Sequence, residues 1–299
     1  MRIVLLFPGA LGDLVLLAPA VTALARTARV ALSVQRAVAP VAAGLMPVTL
    51  GPPVDGAAMS SLFGSGKVEA SVAAWLQGAD VVHSWLGVRH PDLETGVARA
   101  GIAQLHCHSV HRDDGPEHVG LAYAADLGIC TPLAPPRLRL SPSATAPLWK
   151  KDPGARLVMH PGAGARAKRW PVDRALALAE EWSRRGGEVT ILCGPAEEDL
   201  VSQWQRTSYS VVTDVDLPSA ALLLESALLY VGCDSGISHL AGALARAGVV
   251  LFGPTSPERW APRGGRLWAL PIDTSVADIV SILGEMTPPG CLDTPPNQH

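Results

Sequence analysis

Four short clusters in this chain set charged, hydroxyl and glycine residues where an apolar run gives way to a polar one. The first is Gly9-Ala10-Leu11-Gly12-Asp13. Glycines here permit a tight turn and close backbone approach, and the free amides of a starting helix favour an anion. Asp13 falls in the first helical turn, where its carboxylate is available to a ligand hydroxyl; it reads equally as a helix N-cap contributing roughly 1 kcal/mol. The second runs from His160 through Gly162 and Gly164 to Arg166, Lys168, Arg169, Trp170 and Pro171. Amides and cations converging at the end of a strand are what a pyrophosphate needs. Only four of the 24 basic residues are lysines, so Lys168 stands out as a compact ammonium where arginine is the default cation; a solvated charge cluster is the plainer reading.

The third cluster is Cys233-Asp234-Ser235-Gly236-Ile237-Ser238-His239. Ser235 and the amides of Gly236 and Ile237 can receive a phosphate, Asp234 can accept from sugar hydroxyls, and His239 lies three residues past Gly236, on the same side of the first turn. An N-cap plus a core histidine is the alternative. The fourth, Gly194-Pro195-Ala196-Glu197-Glu198, offers a carboxylate for ribose hydroxyls. Spacing from Gly194 favours Glu198 over Glu197. Glutamate in a first turn is also ordinary dipole matching.

These clusters must be held by strands. Short apolar runs alternate with amphipathic stretches along the chain, the pattern of parallel βα units and an α/β fold. In the first half, strands are expected at 2–7, 29–34, 79–83 and 102–106, and helices at 13–26, 67–77, 91–100 and 116–127. Prolines crowd residues 131–154, which removes amide donors and marks a linker. A second series follows, with strands at 156–160, 188–193, 228–232 and 249–252 and helices at 171–185, 196–205, 218–227, 237–247 and 275–286. The expected organisation is an N-terminal domain over 1–150, including that linker, a second domain over 151–286, and a disordered tail at 287–299. Two doubly wound sheets facing across a cleft would place ligands at the carboxyl ends of their strands.

Composition removes several classes of function. The 299 residues are 48% hydrophobic, enough for two filled interiors, and the net charge of −3 gives no footprint for nucleic acid. Five scattered cysteines without a Cys-x-x-Cys pair suggest neither a disulfide framework nor a zinc ribbon, which suits a reducing cytoplasm. His106, Cys107, His108 and His111 lack the helical pairing of a catalytic zinc site, so no metal is expected. The apolar start is broken by Pro8-Gly9 and Asp13, and no run of about 18 apolar residues suggests a membrane span. Neither glycine loop matches Gly-x-Gly-x-x-Gly, which argues against a nucleotide-dependent oxidoreductase.

Taken together, Leu11-Gly12-Asp13 with Pro19-Ala20, Pro161-Gly162-Ala163 with Lys168-Arg169-Trp170-Pro171, and Asp234-Ser235-Gly236 with His239 and Leu251-Phe252-Gly253-Pro254-Thr255 resemble the signatures of the heptosyltransferases. That family comprises inverting glycosyltransferases of lipopolysaccharide assembly. The resemblance implies the GT-B fold, two Rossmann-like domains with the donor held mainly by the second. It implies Asp13 as catalytic base, Lys168 as a donor-contacting and catalytic lysine, and Asp234, Ser235, Gly236 and His239 as sugar and diphosphate contacts. Gly12 and Gly162 join the nucleotide-sugar loops, and Glu198 matches a ribose contact. The implied reaction moves heptose from ADP-heptose, the donor substrate, onto a lipopolysaccharide-core or other glycan without cofactor or metal. A lipid-linked acceptor would bring this cytoplasmic enzyme to the inner face of the membrane. The chain departs from the family at Phe7, where many members carry a cation, and at Gly9-Ala10, where they carry hydroxyl residues. Another nucleotide sugar as donor, or a nucleotide-sugar-binding protein without turnover, are the alternatives.

Overall fold

The computed structural model describes residues 1–86, 91–110, 117–140 and 155–292. The chain divides into two compact units, Met1–Leu138 and Arg139–His299. Of the expected linker, residues 141–154 lie outside the described residues, as do 293–299 of the expected tail and His111.

The first unit runs β1 (Arg2–Leu6), α1 (Leu11–Leu24), β2 (Arg29–Ser33), α2 (Ala39–Leu45), β3 (Thr49–Leu50), α3 (Ala70–Leu76), β4 (Val81–Ser84), α4 (Pro91–Arg99), β5 (Leu105–Cys107) and α5 (Val119–Asp126). Its strands pair in parallel in the order β3-β2-β1-β4-β5. Parallel strands covered on both faces need near-continuous apolar runs, and β1 is buried from Ile3 to Leu6. Helix α1 is apolar almost all round, with Leu14 to Ala18 buried without a break, as a helix enclosed on every side must be.

The second unit runs β6 (Arg156–His160), α6 (Val172–Arg184), β7 (Glu188–Leu192), α7 (Glu198–Trp204), β8 (Ser210–Val212), α8 (Leu217–Glu225), β9 (Leu229–Cys233), α9 (Gly236–Ala243), β10 (Ala247–Phe252), α10 (Pro257–Trp260), β11 (Arg266–Pro271) and α11 (Val276–Met286). Its parallel sheet has the order β11-β10-β9-β6-β7-β8. One core cluster joins Leu157, Met159, Val231 and Leu251 of the sheet to Leu178 and Trp182 of α6 and Ile279 and Leu283 of α11.

In both units the strand order reverses beside the first strand, so the switch points lie between β1 and β4 and between β6 and β9. Ligands of doubly wound sheets collect outside the carboxyl ends of the strands at such points. The α/β, doubly wound reading therefore holds. Its boundaries need correction in places. The helix expected over 237–247 stops at Ala243, because Ala245 turns left-handed (φ 58°) and Ala247 already opens β10. Elements α2, β3, β8, α10 and β11 were not expected.

Candidate functional site

In the first unit, β1 ends at Leu6, and the turn through Pro8 and Gly9 delivers the chain into α1. Asp13 is the third residue of that helix, and Ala10 occupies the N-cap. Asp13 is therefore not the N-cap itself. Its Oδ2 accepts the Ala10 amide at 3.2 Å, and its Oδ1 accepts the Tyr123 hydroxyl at 2.9 Å. Gly12 is the second helical residue, half-buried beside it.

The neighbouring β4 and β5 carry the histidines. His83 Nδ1 and His108 Nε2 stand 2.9 Å apart, and the His83 ring stacks on both His106 and His108. His108 also faces Asp126 at 3.5 Å. Burial, reinforced by its two histidine neighbours, pushes His83 down to about 4, so His83 itself is a neutral imidazole at ordinary pH. Among the described residues no group of three or more His, Cys, Asp or Glu is arranged to hold a metal ion.

In the second unit the loop after β6 is tied to the end of β9. The Trp170 amide reaches both the Pro161 carbonyl at 3.0 Å and Cys233 Sγ at 3.2 Å, and the Cys233 thiol donates to Pro161 O at 3.2 Å. Burial pushes that thiol up to about 12, which suits a structural donor and not a nucleophile. Gly162 allows close packing: a side chain there would run into the Glu197 carboxylate. Glu197 is buried and accepts the Gly194 amide at 2.8 Å, whereas Glu198 is exposed on the outer side of the same turn. His160, buried below, has its titration lowered by burial, against the opposing influence of Glu197.

The three cations of this loop separate. Arg169 binds the Ala163 carbonyl at 3.0 Å and both oxygens of Asp199 at 2.9 and 3.0 Å, and Arg166 faces Asp199 at 3.6 Å. Only Lys168 of the three turns to the end of β9, where its Nζ lies 2.7 Å from Asp234 Oδ2. The same oxygen accepts the Thr255 hydroxyl at 2.5 Å. Ser235 caps α9, and its enclosed hydroxyl has no hydrogen-bond partner among the described residues. Gly236 opens the helix, and His239 is buried one turn on.

The structure thus gathers Lys168, Asp234, Ser235 and Gly236 at one switch point, with His239 behind them and Gly162 and Glu197 bracing the adjoining loop. Glu198 stands apart from that group on the exposed surface. Sequence reasoning placed Glu197 second to Glu198, gave Thr255 no role of its own within its signature, and missed Tyr123. Thr255 carried a signal, since Gly253-Pro254 is a turn directly after a buried strand. Tyr123 carried none, because its partner lies 110 residues away.

The family model described as glycosyltransferase family 9 (heptosyltransferase) matches residues 100–277. Lipopolysaccharide heptosyltransferase 3 of Escherichia coli (strain K12) is 28% identical over 113 residues, which cover 36% of this chain and about a third (33%) of that protein. Among solved structures, the family 9 glycosyl transferase of Veillonella parvula DSM 2008 aligns with TM-score 0.78 at 18% identity, over 95% of this chain and 96% of that one. The E. coli ADP-heptose lipopolysaccharide heptosyltransferase II aligns with TM-score 0.73 at 18% identity, over 96% and 98%. At such identities the likeness speaks for the fold, the GT-B fold of two Rossmann-like units. Because the family model spans well over half the chain and takes in the loops after β6, β9 and β10, this protein belongs to glycosyltransferase family 9, the heptosyltransferases.

Proposed function

We propose that the protein transfers heptose, with inversion, from ADP-heptose to a lipopolysaccharide-core or related glycan. The observation that carries this reading is the meeting of Lys168, Asp234 and Thr255 beside Ser235 at the switch point of the second sheet. The name of the E. coli structural relative supports ADP-heptose as donor, and that of the sequence relative supports lipopolysaccharide as acceptor class.

In this mechanism the acceptor hydroxyl oxygen attacks the anomeric carbon as the bond to the diphosphate breaks. The bonding pair leaves with the diphosphate, and the hydroxyl proton passes to Asp13. Lys168 and the first amides of α9 meet the charge that grows on the leaving group. Asp234 and His239 orient the sugar, and Glu198, whose carboxylate is exposed while that of Glu197 is engaged, takes the ribose. With the positive charge supplied by Lys168 and helix amides, the reaction runs without a metal. A lipid-linked acceptor places the enzyme at the inner face of the cytoplasmic membrane.

Transfer from ADP-heptose to a lipopolysaccharide-core oligosaccharide, followed by mass spectrometry, tests the proposal. Product is expected to form in excess EDTA, and Asp13→Asn is expected to lower turnover by at least ~100-fold while ADP still binds. Activity lost to EDTA and restored by a divalent ion rejects metal independence. A near-normal rate in Asp13→Asn rejects Asp13 as the base.

A further inference from the structure

Tyr123 is fully buried, and a buried phenol requires a hydrogen-bond partner. Asp13 provides one. Its hydroxyl donates to Oδ1 at 2.9 Å while the Ala10 amide donates to Oδ2 at 3.2 Å, so each oxygen of one carboxylate is held by a different element. A carboxylate has about four acceptor positions, and these two bonds do not exhaust them.

The phenol itself is fixed. Phe7 and Trp85 stand edge-on to it, with ring centroids 5.4 and 6.2 Å away and planes near perpendicular. Trp85 donates its Nε1 hydrogen to Asp126 Oδ2 at 2.8 Å, so the helix that carries Tyr123 also pins the ring beside it. Gly120 sets the approach of that helix, since a Cβ there would lie 3.2 Å from the Leu16 carbonyl. Tyr123 is three residues after Gly120 and Asp13 three before Leu16, so the phenol meets the carboxylate one turn beyond the closest backbone contact.

Resting on the reading of Asp13 as base, we propose that Tyr123 is a positioning residue for the transfer. It holds the Asp13 carboxylate in one orientation and in its ionised form until the acceptor hydroxyl arrives. The phenol keeps its own proton throughout; the hydroxyl proton goes to Asp13 and the bonding pair to the diphosphate. A donor to the charged form lowers a carboxyl pKa, so the phenol sets the pH at which the base becomes competent.

The test uses Tyr123→Phe in the full chain, with ADP-heptose and lipopolysaccharide-core oligosaccharide. The ring and its packing are kept and only the donor is lost. We expect kcat to fall about ten- to a hundredfold, ADP affinity to hold, and the acidic limb of the kcat/KM–pH profile to move to higher pH. In an Asp13→Asn background the same change should do little more. A Tyr123→Phe enzyme with normal kcat and an unmoved limb, while Asp13→Asn abolishes transfer, overturns the positioning role and leaves the base intact. If Asp13→Asn transfers normally, the base reading itself falls. Should Tyr123→Phe not fold, fluorotyrosine incorporated at the three tyrosines keeps the fold and makes the phenol a stronger donor. The acidic limb must then move to lower pH, and an unmoved limb again overturns the proposal.

Discussion

At the scale of single residues, Lys168 changes meaning between sequence and structure. In the sequence it is either a compact ammonium for a ligand or one charge of a solvated cluster. In the folded protein it is 28% exposed and paired with Asp234, which is 6% exposed, so Lys168→Ala leaves a nearly enclosed carboxylate with Thr255 as its side-chain donor among the described residues. We expect that substitution to lower donor affinity and also to destabilise the second unit by ~1.5–3 kcal/mol, as loss of a charge-assisted hydrogen bond does. Adding Asp234→Asn should recover part of the melting temperature but none of the donor affinity. Denaturation and ADP titration of both variants check this. His83 gives a second prediction. Its titration is lowered from 6.5 to about 4, so the unfolded chain binds the extra proton first as pH falls. The stability contributed by its neutral form is complete above about pH 6.5 and is lost progressively between there and about pH 4. Buried His160 acts in the same sense. The melting temperature should therefore decline across that window, and His83→Gln should make the decline shallower than in the parent.

At the scale of elements, the long apolar runs were legible. Strands β1, β6, β7 and β9 and helices α1, α6, α8 and α11 all lie within a few residues of where periodicity and flanking turns put them. What escaped were elements too short to show a period, such as α2 with seven residues and β3 with two. Strand β11 escaped for a different reason. It lies at a sheet edge without clean alternation of buried and exposed positions, so nothing in its pattern marks a strand. The early stop of α9 was hidden because alanine, and not glycine, takes the left-handed turn at 245. The clusters holding Lys168, Asp234, Ser235 and Gly236 were legible because each follows an apolar strand; the Tyr123 contact was not, because it depends on how α5 lies against α1. That packing can be probed directly. Gly120→Val adds a branched side chain where even a Cβ sits 3.2 Å from backbone. It should cost ~1–3 kcal/mol through overpacking and lower kcat by moving the phenol off Asp13. Calorimetry and steady-state rates report the two effects separately.

At the scale of the whole molecule, the chain carries a formal charge of −3 and gives an anionic donor no general attraction. The Lys168–Asp234 pair sharpens that statement. On the proposed function, the cation that would meet the diphosphate is already neutralised by a carboxylate 2.7 Å away, so an entering nucleotide would have to exchange one counter-charge for another. Such an exchange projects little field into solution. Encounter should then proceed at the unassisted diffusive rate, with affinity decided after contact, in how slowly the exchanged pair reverts. Stopped-flow binding of ADP between about 0.05 and 0.5 M salt should show an association rate that changes by less than about tenfold, the low end of what electrostatic steering supplies. Selectivity for the donor would reside in residence time.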